Sequence, residues 1–316
     1  MKYLDPKADL TFKRVFGEHP DLVMSFLNAL LPLEEGEEIV EIEYIPAELM
    51  KDSPLHKNSI VDVRCRDNRG WQFLVEMQMS WTPSFQQRVL FNASKAYVRQ
   101  IGKGQNYELL KPVYSLNLIN AVYQPDIDEY YHHYRIVHTE HPEKVIEGLQ
   151  FVFIELPKYK PNTFSDKKMK ALWLRYLKEI DSDTYEIAPD LLENPEIKKA
   201  IDIIQASAYT EAQLWGYDDF WDSIRVEGTF FADGKKEGIA IGEARSQAKV
   251  EAAEAKVQKA EAKAEEAKVK AQKAEADIAG LKAKLIHTAE QLKATGVATD
   301  IIMNVTGLSH EEIEKL

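Results

Sequence analysis

The sequence has little cysteine and no long hydrophobic run. Cys65 is the only cysteine among 316 residues, so no disulfide can form within the chain. No stretch of about 18 consecutive apolar residues occurs, so we expect no membrane-spanning helix. The N-terminal stretch MKYLDPKADLTFKRVFG lacks the apolar core of a signal peptide, so we do not expect secretion. The single cysteine fits a reducing cytoplasm.

Several catalytic signatures are also missing. The chain contains neither the glycine-rich loop of nucleotide triphosphatases nor the G-x-G-x-x-G motif of dinucleotide-binding domains. It also lacks the local motifs that surround serine and cysteine nucleophiles. The sequence therefore argues against these enzyme classes.

The charge is negative overall but unevenly distributed. A net charge of −12 argues against a simple cationic nucleic-acid-binding protein. Residues 57–111 nevertheless contain four acids and nine bases. These bases are Lys57, Arg64, Arg66, Arg69, Arg88, Lys95, Arg99, Lys103 and Lys111. This region could therefore provide a local phosphate-binding surface.

Hydrophobic periodicity predicts a mixed α/β core of about 160 residues followed by helices. Helices are expected over 9–31, with a break near Pro20, and over 83–104, where Val89, Ala93, Ala96 and Ile101 form the apolar side. Strands are expected at 37–45, 59–67, 71–79, 112–122, 133–139 and 149–156. The run at 112–122 is almost continuously apolar, which is typical of a strand buried on both faces. From about residue 164 the pattern becomes helical.

Residues 244–293 are rich in alanine, glutamate and lysine and repeat every seven residues. Val250, Val257 and Ile278 occupy one heptad position, and alanine fills most of the position three residues later. This pattern predicts a coiled coil that would join two chains in a homodimer. A single solvated helix, or a helix folded back on its own chain, remains the alternative because alanine buries little area. In the short helical tail, 294–316, Ser309 and Glu312 form a capping-box pattern.

The stretch SIVDVRCRDNRGWQFLVEMQM, residues 59–79, predicts a β-hairpin. Alternation places its apolar residues on one face if Val63 pairs with Val75, which leaves Asn68, Arg69 and Gly70 as the turn. The same register places Asp62 opposite Glu76 and Ile60 opposite Gln78. Two opposed carboxylates repel each other unless a cation lies between them, and a divalent metal is a natural candidate. The alternative is that both acids lie on a solvated face.

Five separate stretches of the sequence resemble the Rpn family, the recombination-promoting nucleases or transposases of bacteria. The resemblance rests on LDPKADLTFKRVFG, SFLNALL, IVDVRCRDNRGWQFLVEMQ, QQRVLFNASKAYVRQIGKGQNYELLKPV and FVFIELPKY, which occur in order over residues 3–160. An aspartate on one strand and E-x-Q on the next are similar to the PD-(D/E)xK nuclease signature, with glutamine in place of its lysine. The resemblance implies an α/β fold with a restriction-endonuclease-like mixed sheet and flanking helices. The periodicity described above predicts that an α-helical extension and a long coiled-coil helix follow this core.

The resemblance covers the nuclease-like domain (1–160) and also implies its site. The sequence pattern adds a helical extension (161–243), the coiled coil (244–293) and the tail (294–316). Asp62 and Glu76 match metal-binding acids for Mg²⁺ or Mn²⁺, and Gln78 matches the position of the catalytic lysine. The remaining matches are Lys13 as a further catalytic group, and Asp9 and Arg88 as DNA-contacting residues.

The departures from the signature leave two functions open. The proline-aspartate pair is absent, since Ile60 and Val61 precede Asp62. Gln78 can orient a water but carries no positive charge, and Lys13 could supply that charge instead. The first function is a metal-dependent DNA endonuclease of the bacterial cytoplasm, in which Gln78→Lys should retain or raise activity. The alternative is a weak or inactive nuclease fold that binds nucleic acid or serves as a coiled-coil scaffold.

Overall fold

The computed structural model describes residues 2–46, 48–49, 59–161 and 168–316. Its strands are β1 (Ile42–Tyr44), β2 (Glu48–Leu49), β3 (Ser59–Ile60), β4 (Val63–Asp67), β5 (Gln72–Gln78), β6 (Val113–Ile119), β7 (Tyr131–His138) and β8 (His141–Glu155). Its helices are α1 (Asp9–Gly17), α2 (Pro20–Leu30), α3 (Pro83–Val98), α4 (Lys168–Glu179), α5 (Pro189–Leu192), α6 (Pro195–Ile203), α7 (Glu211–Ala294), α8 (Thr299–Thr306) and α9 (His310–Glu314). The chain divides into two units, Met1–Phe231 and Ala232–Leu316. Lys57, one of the bases counted above, lies outside the described residues.

The centre of the first unit is a six-stranded mixed sheet. Its strands follow the order β1-β4-β5-β6-β8-β7. β6 runs parallel to both β5 and β8, whereas the remaining neighbours are antiparallel. All seven residues of β6 are buried, which confirms the prediction from its continuous apolar run. β2 and β3 form a separate two-stranded sheet.

One face of the sheet packs against helices α1, α2, α4 and α6. Phe16, Phe26 and Trp173 form the centre of this layer and are fully buried. The rings of Phe16 and Phe26 lie 4.3 Å apart, and each lies 5.4 Å from the Trp173 ring. Because Trp173 comes from α4, the helices that follow the last strand contribute to the same core as the first two helices.

Helix α3 covers the opposite face of the sheet. Its buried residues include Phe85, Val89, Ala93 and Ala96, spaced as one side of a helix requires. Three of these were predicted from the sequence. The fourth predicted residue, Ile101, was assigned wrongly because the helix ends at Val98.

The predicted hairpin is confirmed in its register and its turn. Val63 pairs with Val75, and Gly70 adopts a φ of 86°, a left-handed conformation that glycine adopts without steric cost. The prediction was wrong for Ile60, which pairs with Glu48 in the small sheet instead of with Gln78. The ladder ends at Val63 because the side chain of Asp62 accepts the hydrogen bond of the Met77 amide.

The first predicted strand, 37–45, is much shorter in the structure. Only Ile42–Tyr44 forms a strand, at the edge of the sheet. Before it, the side-chain amide of Asn28 makes two hydrogen bonds to the backbone of Ile39. It donates to the Ile39 carbonyl at 2.9 Å and accepts from the Ile39 amide at 2.8 Å. This side chain therefore satisfies the groups that a neighbouring strand would otherwise pair.

The second unit begins within helix α7 and contains α8 and α9. α7 is continuous across the predicted coiled-coil segment, and Val250, Val257 and Ile278 are exposed on it. Ser309 and Glu312 cap α9 reciprocally, which confirms the predicted capping box. A small cluster of Ala289, Ile302, Leu308 and Ile313 joins the end of α7 to the two short helices. No helix in the described part of the chain is long and apolar enough to span a membrane.

Candidate active site

Asp62 occupies a bend immediately before β4. Its Oδ2 atom accepts a hydrogen bond of 2.6 Å from the backbone amide of Met77 on β5, so the carboxyl group lies against the neighbouring strand. Burial is the main cause that raises the pKa of Asp62 to about 6, and the charge of Asp9 raises it further. The Met77 amide and the charges of Lys13 and Arg88 act in the opposite direction. Asp62 is therefore a desolvated acid whose negative charge is only partly compensated.

Glu76 lies on β5 and is 6% exposed. Its Oε1 atom accepts a hydrogen bond of 2.8 Å from Nδ2 of Asn92, and its Oε2 atom lies 3.7 Å from Nη2 of Arg88. Burial again raises the pKa, as does the nearby charge of Asp62, whereas Asn92 and Arg88 lower it. The Asp62 carboxyl group thus lies close enough to raise the pKa of Glu76, which agrees with the predicted register.

Gln78 ends β5 and binds the next helix. Its Oε1 atom accepts a hydrogen bond of 2.6 Å from Nη2 of Arg88 on α3. The guanidinium of Arg88 also lies over the ring of Phe85, 4.9 Å from its centre. Arg88 therefore contacts Gln78 while lying beside Glu76, with about half of its side chain exposed.

Helix α1 provides the remaining two predicted residues. Lys13 and Asp9, one turn apart, form an ion pair of 2.6 Å, and about half of each side chain is exposed. Both charges affect the pKa of Asp62, Lys13 lowering it and Asp9 raising it. The structure thus brings all six predicted residues into one region. Within it, the ammonium group of Lys13 pairs directly with the Asp9 carboxylate.

Asn92 was missed by the sequence analysis. It is 1% exposed and lies on α3 one turn after Arg88, where its amide donates to Glu76. A signal was present, because Asn92 interrupts the apolar side of α3 between Val89 and Ala93. A polar residue on a buried helix face needs a hydrogen-bond partner, and the hairpin carboxylates lay on the strand below.

The donor chemistry of this region suits a hard divalent cation. Asp62 and Glu76 offer carboxylate oxygens, which Mg²⁺ and Mn²⁺ prefer, and burial, which raises both pKa values, disfavours their charged forms unless a cation is near. Within the described residues, no group of three or more histidine, cysteine or acidic side chains could enclose a metal. Two carboxylates are enough for Mg²⁺, because this ion usually keeps several waters and also binds substrate phosphates.

A mixed sheet with helices on both faces and paired acids on adjacent strands has the architecture of the restriction-endonuclease-like α/β fold. Comparison with protein families matches residues 6–223 to the PD-(D/E)XK nuclease family transposases. Because the match covers more than half of the chain, the protein belongs to this family, and the predicted fold class and family are confirmed. Comparisons with curated proteins and with solved structures give no match.

Proposed function

We propose that this protein is a metal-dependent DNA endonuclease that acts in DNA recombination or mobile-element processes in the bacterial cytoplasm. The family supports a nuclease or transposase type of function. The observation that carries the proposal is the pair of desolvated carboxylates, Asp62 and Glu76, beside the cation Arg88. Such a site suits the hydrolysis of a phosphodiester, whose negative charge needs cations around it.

The reaction requires a water to attack phosphorus. The oxygen of the water forms a bond to phosphorus as one ester bond breaks, and the proton that the water loses is balanced by the proton that the departing oxygen gains. A Mg²⁺ or Mn²⁺ ion held by Asp62 and Glu76 would polarise the phosphate and lower the pKa of the attacking water. Asn92 holds the Glu76 carboxylate, and the Met77 amide holds that of Asp62, so both ligands are positioned in advance.

The test is plasmid nicking combined with metal-binding calorimetry. We expect the wild-type protein to nick supercoiled DNA with Mg²⁺ or Mn²⁺ and to lose the activity in EDTA. The double variant Asp62→Ala/Glu76→Ala should neither nick DNA nor bind Mn²⁺ measurably, because both carboxylate ligands are removed. Nicking that continues unchanged in this variant would overturn the proposal.

A second candidate function is a nuclease fold that binds nucleic acid or acts as a scaffold with little cleavage. Two observations favour it: the net charge of −12 and the neutral Gln78 at the lysine position. Calorimetry separates the two functions, because an intact site binds Mn²⁺ whereas a degenerate one does not. A wild-type protein that neither binds Mn²⁺ nor nicks any DNA substrate would favour the second function.

We propose that the helical extension, residues 161–243, supports the nuclease-like domain of residues 1–160 and has no separate activity. The reason is that α4 contributes Trp173, Tyr176 and Leu177 to the main core. Residues 244–293 would then form the coiled coil and residues 294–316 its helical tail.

The heptad pattern leads us to propose a homodimer through residues 244–293. The exposed Val257 and Ile278 occupy the predicted contact positions, whereas Val269, equally exposed, falls on the outer side of the heptad. We expect Val257→Asp/Ile278→Asp to shift full-length protein towards the monomer in sedimentation-velocity experiments. In the dimer, each new aspartate would face the same aspartate of the other chain, and the two negative charges would repel each other. Val269→Asp, the matched control, should sediment as wild type does. A monomeric wild-type protein would contradict the dimer.

A further inference from the structure

The glutamine at the lysine position has a specific partner. Its Oε1 atom accepts the Nη2 hydrogen of Arg88 at 2.6 Å, which is the range of a strong charge-assisted hydrogen bond. Gln78 thus binds a guanidinium through its amide oxygen, which suits a residue that positions a cation.

We propose that Arg88 is the catalytic cation of this site, contacting the scissile phosphate, and that Gln78 is the residue that positions it. The inference rests on the proposed nuclease function and adds to it the source of the positive charge. That charge comes from helix α3 and not from strand β5.

The geometry of Arg88 suits this role. Nη2 binds Gln78 and lies 3.7 Å from Oε2 of Glu76, which places the guanidinium beside a proposed metal ligand. A guanidinium has five N–H donors in a planar fork, so donors remain for phosphate oxygens after the Gln78 bond is made. About half of the side chain is exposed, so a phosphate can reach it, and the Phe85 ring supports the charged group from the side.

The alternative cation, Lys13, is less suited to this role. Its ammonium group forms an ion pair of 2.6 Å with Asp9, one turn earlier on the same helix. A phosphate would have to compete with this carboxylate. Arg88, by contrast, makes its short contact, 2.6 Å, with a neutral amide, and the Glu76 carboxylate lies further away at 3.7 Å, so more of its charge is available to a phosphate.

The Arg88 contact also explains why position 78 is a glutamine. A lysine there would place an ammonium group beside the guanidinium, and the two like charges would repel each other. A glutamine accepts the arginine's hydrogen bond and still has an amide N–H₂ to donate. This proposal therefore predicts the opposite of the expectation from sequence that Gln78→Lys alone should retain or raise activity.

The first test compares single variants of full-length protein. We expect Arg88→Ala to lower the nicking rate about 10²- to 10³-fold, as the loss of a charge-stabilising donor does in other enzymes. Added guanidinium chloride should restore part of this loss at low millimolar concentration, at which it does not denature proteins. Calorimetry should show equal or tighter Mn²⁺ binding to Arg88→Ala, because a cation beside the carboxylates has been removed. Arg225→Ala, an exposed arginine on α7, serves as the matched control and should nick as wild type does.

The second test exchanges the two side chains. We expect Gln78→Lys to lose activity because of repulsion by Arg88, and Arg88→Gln to lose it because the cation is gone. The double variant Gln78→Lys/Arg88→Gln should recover to within about tenfold of wild type, since it restores one cation and one amide. A purely structural role for Arg88 predicts no recovery in the exchange and no rescue by guanidinium.

The outcomes separate this inference from the proposed function. If wild type cleaves and Arg88→Ala cleaves at a similar rate, the role of Arg88 is overturned while the nuclease function stands. If Arg88→Ala loses activity together with Mn²⁺ binding, Arg88 supports the metal site and the inference fails. If wild type binds Mn²⁺ but does not cleave with any metal, the nuclease function and the inference fail together.

Discussion

We expect Glu76→Gln to reduce DNA cleavage about 10³-fold without unfolding the protein, which corresponds to about 4 kcal/mol in activation free energy. Glutamine has the size of glutamate, and its Oε1 atom can still accept the hydrogen bond from Asn92. What is lost is the negative charge that would hold a divalent cation. The variant therefore removes a charge at a buried position and leaves the packing intact.

The measurement is the initial rate of plasmid nicking at saturating Mg²⁺, together with Mn²⁺ affinity. Affinity should fall at least tenfold, and the melting temperature should equal or exceed that of wild type, because burial disfavours the charged form of Glu76. Glu147→Gln is the matched control, since Glu147 is an exposed carboxylate on β8. Cleavage by Glu76→Gln within about threefold of wild type would exclude Glu76 as a metal ligand.

The hairpin could be predicted from the sequence because its information is local. Side-chain alternation has a period of two, so a shift of one residue would have turned Val63 and Val75 away from the core. Gly70 then left a single short turn that fits. The same logic placed Asp62 and Glu76 next to each other, and the effect of the Asp62 charge on the pKa of Glu76 agrees with that placement.

Contacts between α3 and β5 could not be predicted in the same way. Helical spacing puts Arg88 and Asn92 one turn apart on one side of α3, but it does not say which strand residues lie below them. The pairs Arg88–Gln78 and Asn92–Glu76 depend on where the helix crosses the sheet. Crossing geometry is set by packing over the whole interface, which local periodicity does not contain.

The ends of strands were also beyond local patterns. Residues 37–45 alternate as a strand should, yet Asn28 binds the backbone of Ile39 and pairing begins only at Ile42. At the other edge of the hairpin, the Asp62 carboxylate accepts the Met77 amide and ends the ladder. In both cases a side chain takes the place of a backbone hydrogen-bond partner. The strand propensity of a sequence does not indicate such a replacement.

The Asp62 carboxyl group should also make the free energy of unfolding depend on pH. We expect Asp62→Asn to be more stable than wild type at pH 7.5 in EDTA, by about 2 kcal/mol in free energy of unfolding. Burial raises the pKa of Asp62 from 3.8 to about 6, so the folded protein keeps a proton that the unfolded chain has already lost. Between about pH 4 and pH 6 the native state binds more protons, and the free energy of unfolding therefore falls as pH rises. The full shift corresponds to about 3 kcal/mol, and water that reaches the small exposed part of the carboxyl group reduces it.

Asparagine at position 62 removes this dependence on pH because it does not titrate. Its side-chain oxygen can still accept the hydrogen bond from the Met77 amide. Urea denaturation in EDTA should therefore give similar stabilities for wild type and Asp62→Asn at pH 4, and a difference that grows up to about pH 6 and then stays constant. Asp126→Asn, an exposed aspartate, is the matched control and should follow wild type at every pH.

Addition of Mg²⁺ should reverse the order of stability at pH 7.5. A cation that binds only the folded state stabilises it by about 2.7 kcal/mol at a concentration one hundred times its dissociation constant. Wild type should gain this stabilisation because its two carboxylates bind the cation. Asp62→Asn should gain little because it has lost one of the two carboxylates. A variant that is less stable than wild type in EDTA at pH 7.5 would mean that the Asp62 carboxylate stabilises the fold by itself. Burial would then impose no cost for a metal to offset, and Asp62 would be a structural acid.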